Sequence, residues 1–291
     1  MRHRSTQASW PTGWVARRLG ISPTTLRTWD ARYGIGASDR EPGRHRRYTA
    51  GDVERLRIMQ RLIAAGTKPR EAADLAVGRV VQAGDTAGSD LVDSLNHAAE
   101  SLRTDIMADL LDAFFQSRGV CGTWHDVLRP VVRAVGARSV HDAQCRDVEW
   151  TLAESIATAL DRVMHTHAAP ADRRPALLLC CPQERHALPL RVLAAALHER
   201  SVPTAFLGDT VPIDAALAAE RRLRPATAVL WALRRENASH DLARRLHDRQ
   251  VPLILAGPGW QDGSDVPARV VDDLDAALGF VKAAVDEPRT A

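Results

Sequence analysis

From Ala176 to Val285 the chain alternates short apolar runs with amphipathic stretches, and this alternation leaves few folds open. The runs "ALLLCC" (176–181), "VPTAFLG" (202–208), "TAVLWAL" (227–233), "VPLILAG" (251–257) and the shorter "ARVVD" (268–272) have the length of strands. Between them, "LPLRVLAAALHER" (188–200), "IDAALAAERRL" (213–223), "SHDLARRLHDR" (239–249) and "LDAALGFVKAAV" (274–285) place apolar residues at helical spacing. Strands that are apolar on both faces must be covered on both faces. The pattern therefore predicts a parallel sheet of flavodoxin-like or Rossmann-like type over 176–291. Ligands of such sheets bind beyond the carboxyl ends of the strands. The segment "CCPQERHALPL" (180–190) puts Glu184 and His186 at one such end.

Upstream, residues 91–166 carry four apolar stripes of helical period: Leu91, Leu95 and Ala98; Ile106, Leu110, Leu111 and Phe114; Val127, Val131, Val132 and Val135; and Trp150 through Leu160. They predict a four-helix bundle. Its flanks, "VVQAGDTAGSD" (80–90) and "HAAPADRRP" (167–175), have linker composition. The chain is thus expected to be multi-domain, α followed by α/β.

Charge is distributed unevenly. Residues 1–70 hold 15 basic and 5 acidic residues, whereas the whole chain nets only +3. A basic N-terminal segment on a mildly acidic body points to a nucleic-acid partner. In "TGWVARRLGISPTTLRTWDAR" (12–32), Val15, Ala16 and Leu19 form an apolar face, Gly20 suits a left-handed helix end, and Ser22 and Pro23 suit the cap and first position of the next helix. Two short helices around a tight turn make a helix-turn-helix. The second would place Thr24, Thr25 and Arg27 at base edges in the major groove. In "REPGRHRRYTAGDVERLRIMQRLIAAG", Gly43 permits a hairpin tip flanked by Arg44, His45, Arg46, Arg47 and Tyr48, a wing that would grip phosphates. Thr49 and Asp52 then open a further helix with Val53, Leu56, Met59 and Leu62 as its buried stripe.

The segments "VARRLGISPTTLRTWDARYG", "GRHRRY" and "DVERLRIMQRLIAAG" resemble, in that order, the DNA-binding domain of MerR-family transcription regulators. The resemblance covers residues 12–66. It implies a winged helix-turn-helix over 1–79 that works as a homodimer or higher homo-oligomer on a palindromic operator in double-stranded DNA. A bundle and a parallel sheet behind such a domain further resemble the cobalamin-binding regulators of that family, which include light-responsive repressors using adenosylcobalamin. On that resemblance, 91–166 is a cap-like bundle and 176–291 a cobalamin-binding-like domain. The family's Asp-x-His-x-x-Gly loop falls on Glu184, Arg185, His186, Ala187, Leu188 and Pro189. His186 would be the cobalt ligand of a cobalamin, in the adenosyl or another form, and Glu184 would fix its tautomer. Gly257 matches one of two glycines after the fourth strand, and Glu149 the glutamate that covers the upper face of the cofactor. Departures are plain as well. Pro189 replaces a glycine, Trp231 replaces a small hydroxyl residue beside the buried nucleotide tail, and Ser139 and Trp150 replace the Trp and His over the corrin.

The resemblance extends to cobalamin-dependent methyltransferase and mutase subunits, which share the bundle and sheet but have no use for a helix-turn-helix. The chain also shows no Gly-rich phosphate loop and no nucleophile–base constellation, so a regulator rather than an enzyme is expected. Cys121, Cys145, Cys180 and Cys181 lack zinc-site or redox spacing and read as free thiols. With no signal peptide and no bilayer-length apolar run, a cytoplasmic location and no membrane contact are expected.

Overall fold

The computed structural model describes residues 9–38, 46–64, 67–77, 85–141, 146–167 and 173–287. The chain divides into two compact units, residues 1–118 with 125–155, and residues 119–124 with 156–291.

The first unit opens with strand β1 (Ser9–Pro11) and helices α1 (Thr12–Leu19) and α2 (Pro23–Tyr33). α1 ends at Gly20, whose φ of 67° is the left-handed conformation a glycine adopts without penalty. α2 begins where the Ser22 hydroxyl accepts a hydrogen bond from the Thr25 amide at 3.0 Å, with Pro23 as first helical residue. Val15, Ala16, Leu19 and Leu26 are buried, as their spacing predicts. Strand β2 (Arg47–Thr49) pairs antiparallel with β1, Trp10 opposite Tyr48. The hairpin tip expected at Gly43 lies outside the described residues. β1, the partner of β2, has no signal in the sequence because Ser-Trp-Pro is too short to show a period. Helix α3 (Ala50–Ala64) starts with a reciprocal cap: the Asp52 amide donates to Thr49 Oγ1 at 3.2 Å and the Thr49 amide donates to Asp52 Oδ2 at 2.8 Å. Helix α4 (Pro69–Ala76) packs on α3.

Helices α5 (Asp85–Glu100), α6 (Thr104–Thr123), α7 (Arg129–His141) and α8 (Arg146–Thr166) follow the four stripes, with a π-helical turn over residues 124–128 between α6 and α7. Most stripe residues, among them Leu91, Leu95, Phe114, Val131, Val135, Ile156 and Leu160, are buried, but Trp150, expected to open the fourth stripe, is 78% exposed. The expected linker is shorter than its composition suggests. Residues 80–84 lie outside the described residues, but 85–90 are already helical. One interior glycine costs a helix only about 1 kcal/mol, less than the buried stripe that follows contributes. In the first unit, Arg61 of α3 forms an ion pair with Asp109 of α6 at 2.7 Å, and the Thr67 hydroxyl donates to Ser94 Oγ of α5 at 3.0 Å. Within the first unit, α3 and the residues after it are therefore joined to α6 and α5 by one half-exposed ion pair and one buried hydrogen bond as well as by the chain. α6 is broken at Gly119 (φ 68°, ψ 177°), where the division into units falls. In the second unit, the amide of Val120 that this break frees is capped by the Glu199 carboxylate at 3.0 Å.

The core of the second unit is a five-stranded parallel sheet of order β4-β3-β5-β6-β7, formed by β3 (Ala176–Cys180), β4 (Thr204–Phe206), β5 (Thr227–Trp231), β6 (Leu253–Ala256) and β7 (Arg269–Val271). This is the flavodoxin-like order. Alternate strand residues feed two separate cores. Ala176, Leu178, Cys180, Val229 and Ile254 pack with helices α9 (Leu188–His198) and α12 (Leu274–Asp286). Leu177, Leu179, Cys181, Leu230 and Leu255 pack with α10 (Ile213–Leu223) and α11 (His240–His247). Adjacent Cys180 and Cys181 therefore face opposite layers, and burial pushes both thiols up, that of Cys181 to about 12. They are inert packing groups at neutral pH.

Candidate functional site

In the helix-turn-helix, Thr24 and Arg27 are exposed on the first turns of α2, while Leu26 between them is buried. Thr25 is half-buried, and its hydroxyl lies 2.9 Å from that of Ser22, within the cap. The two surface side chains project from the N-terminal end of the second helix, the end that enters a major groove in this motif. The wing residues divide differently from the sequence expectation. Arg46 forms an ion pair with the buried Asp30 of α2 at 3.2 Å. Arg47 donates through Nε to Ser9 Oγ at 2.8 Å and through a terminal nitrogen to the Ser9 carbonyl at 2.7 Å. Both arginines thus fasten β2 to its surroundings, and the faces they leave open are what a phosphate would meet. Tyr48 is a correction: its side chain is fully buried, because strand alternation turns it inward between its two exposed or half-exposed neighbours, so it supports the wing and cannot touch DNA. Arg44 and His45 lie outside the described residues. A stacked pair that sequence reading passed over, Trp10 and Trp14, has ring centroids 5.0 Å apart on β1 and α1.

The second candidate lies at the carboxyl edge of the parallel sheet, where strand order reverses between β3 and β5. Glu184 is fully buried there. Its Oε1 accepts from the His186 amide and from His186 Nδ1, each at 2.8 Å. Its Oε2 accepts from the Leu233 amide at 2.8 Å and from Asn237 Nδ2 at 3.0 Å. Its own carbonyl accepts from the Thr210 amide at 2.8 Å. One residue therefore gathers the loops that follow β3, β4 and β5. Burial alone would raise the Glu184 carboxyl, but the Asn237 side chain, the His186 and Leu233 amides and the His186 ring outweigh it and hold the group at about 2. With Nδ1 engaged by the Glu184 carboxylate, Nε2 is the ring nitrogen that the half-exposed His186 keeps for a ligand, as a lone pair in the neutral ring. Asn237, Leu233 and Thr210 were not legible as members of this site, since each belongs to a loop remote in sequence.

Trp231, the last residue of β5, completes the edge. Its indole N–H donates to the His186 carbonyl at 2.8 Å, and its ring joins the core that contains Leu190 and Leu193 of α9. A Cβ built on Gly257 would lie 2.7 Å from Trp231 Cζ3 and 2.5 Å from the Ala232 carbonyl oxygen. Gly257, at φ 99°, is thus required by close approach of the neighbouring loop and the indole. Of the residues matched to a cobalamin site, Glu184, His186 and Gly257 are brought together here. Glu149 is half-buried in the first turn of α8, in the first unit. The residues fit one demand of a cobalamin and not the other. His186 has Nδ1 turned to Glu184 and a half-exposed ring, as a cobalt ligand would, but the bulky indole of Trp231 stands beside it, against Gly257 and the His186 carbonyl, where a small residue would leave room. Among the described residues, no cluster of three or more His, Cys, Asp or Glu side chains could hold a metal ion by itself, and no helix is long and apolar enough to cross a membrane.

The chain is similar to known proteins in its N-terminal segment and over most of its length. Residues 11–77 match the family model described as MerR HTH family regulatory protein. The HTH-type transcriptional repressor CarH of Myxococcus xanthus is 28% identical over 262 residues, covering 84% of this chain and 87% of that protein. The HTH-type transcriptional repressor CarA of the same organism is 27% identical over 256 residues, covering 85% of this chain and 86% of that protein. Among solved structures, the monomethylamine corrinoid protein of Methanosarcina barkeri aligns with a TM-score of 0.49 at 14% identity, over 67% of this chain and 99% of that one. Residues 11–77 are thus a MerR-type helix-turn-helix domain, and the chain that carries it is a helix-turn-helix regulator homologous over most of its length to two transcriptional repressors.

Proposed function

We propose that this chain is a DNA-binding transcriptional repressor that acts as a homodimer or higher homo-oligomer on a palindromic operator, with the parallel-sheet unit as its regulatory module. The observation that carries the reading is α2: a capped helix with Thr24 and Arg27 exposed at its N-terminal end, inside a domain that matches a helix-turn-helix family. A single helix of this length reads one half-site, and a two-fold assembly on an inverted repeat would double its contacts. Repression is carried over from the two relatives that align over most of the chain.

Affinity would come from arginine contacts to phosphate and discrimination from α2. Thr24 suits hydrogen bonds to bases or phosphates, and Arg27 suits guanine or phosphate. The test is binding of the full chain to duplex DNA across a salt series, with Arg27→Ala and Arg47→Ala compared. The first should lose discrimination between sequences, by about 1–3 kcal/mol per lost base contact. The second should weaken binding to every sequence and flatten the salt dependence. Equal discrimination in wild type and Arg27→Ala would remove α2 from the reading surface.

A further inference from the structure

We infer that Trp231 is the residue that sets ligand specificity in the C-terminal unit: its indole occupies the crevice at the strand-order reversal, and it excludes an intact cobalamin although His186 is presented as a cobalt ligand would be. The inference rests on the sheet edge alone and not on the reading of the chain as a DNA-binding repressor.

Three observations converge on it. First, Trp231 leaves β5 directly beside Cys180 of β3, the pair of strands between which the order reverses, and its ring lies on the α9 side of the sheet among core residues. A ligand entering between these strands on that face meets the indole before it meets the core. Second, the indole is held at both ends. Its N–H donates to the His186 carbonyl, and its six-membered ring sits where Gly257 has no Cβ to oppose it. Moving it aside would break a hydrogen bond, expose a large apolar surface and leave a void over a glycine. Third, the loops on either side are tied together beneath it by Glu184, which is fully buried and bonds to both His186 and Leu233. The crevice therefore cannot widen by loop movement without breaking the clamp. The imidazole and the closed crevice are parts of one hydrogen-bonded assembly, so a ligand of His186 must approach from solvent and carry no appendage that needs the space between β3 and β5.

The experiment uses the full chain mixed with hydroxocobalamin in excess, desalted, and read by its absorption spectrum. Wild type and Trp231→Phe, which keeps the bulk of the ring, are expected to retain less than about a tenth of an equivalent. Trp231→Ser and Trp231→Gly, which empty the crevice, are expected to retain close to one equivalent, and a second change, His186→Ala, should abolish that retention. DNA binding by the same preparations is expected to be unchanged by Trp231→Ser, which separates failure of this inference from failure of the repressor reading. Near-stoichiometric retention by wild type would overturn the inference. So would the absence of retention in both emptied variants when circular dichroism shows them folded. Should neither emptied variant fold, Trp231→Ala and Trp231→Thr are read in their place, and absence of retention in a folded one of these overturns the inference.

Discussion

Glu184 shows how one side chain can fix a site that the sequence announces only in part. The loop motif marks Glu184 and His186 as a pair two residues apart, and their hydrogen bond is local enough to be expected from spacing. The partners on the other oxygen, Leu233 and Asn237, come from a loop about fifty residues away and are invisible to any local pattern. The same holds for Arg46 and Arg47. A basic run is legible, but their attachment to Asp30 and Ser9 is not. Glu184 makes a pH prediction. Its carboxyl is held at about 2 in the folded chain against an ordinary 4.5. A depressed acid contributes stability that is present above about pH 4.5 and lost as pH falls towards 2, here on the order of 3 kcal/mol. Urea unfolding of wild type and Glu184→Gln should therefore differ most near pH 7, with the difference falling to about half by pH 3 and vanishing only below pH 2. A difference that stayed constant down to pH 3 would mean that the charge of Glu184 contributes nothing to the clamp.

At the scale of elements, caps and periods carried most of the information. Ser22 and Pro23 start α2 where the sequence says a helix should start, because an N-cap is chemistry within four residues. The strands of the sheet were legible because each is a short apolar run, and their two-faced burial is what the runs required. The failures have physical causes too. Residues 85–90 look like a linker by composition, yet they extend α5 because a buried stripe follows them. The break at Gly119 is hidden inside a stretch of helical period, since a glycine in a helix pattern does not reveal its φ. Two substitutions test these elements. Ser22→Ala removes the cap bond to Thr25 and should cost about 1 kcal/mol in thermal or urea unfolding, with weaker DNA binding to match. Gly119→Ala must hold a left-handed φ of 68° and bring a Cβ to 3.4 Å from the Glu199 carboxylate. It should destabilise the chain by about 1–2 kcal/mol, and unchanged unfolding would show that the break in α6 relaxes freely.

At the scale of the whole molecule, a basic helix-turn-helix region and a sheet with a self-filled crevice share one chain. Charge asymmetry and motif order made the first legible from sequence, and apolar alternation the second. What closes the crevice was legible as a single odd residue, Trp231, but not as a structural fact, because the indole needs Gly257 and the His186 carbonyl to become a plug. The central claim remains recognition of DNA through α2. It is tested most directly by selecting random duplexes with the full-length chain and sequencing what is bound, in parallel for wild type and Arg27→Ala. The account predicts an inverted repeat for wild type, its half-site centres separated by about 10 base pairs or a multiple of that, and a degraded or altered half-site for Arg27→Ala. Enrichment of no inverted repeat, or of the same repeat by both proteins, would contradict it.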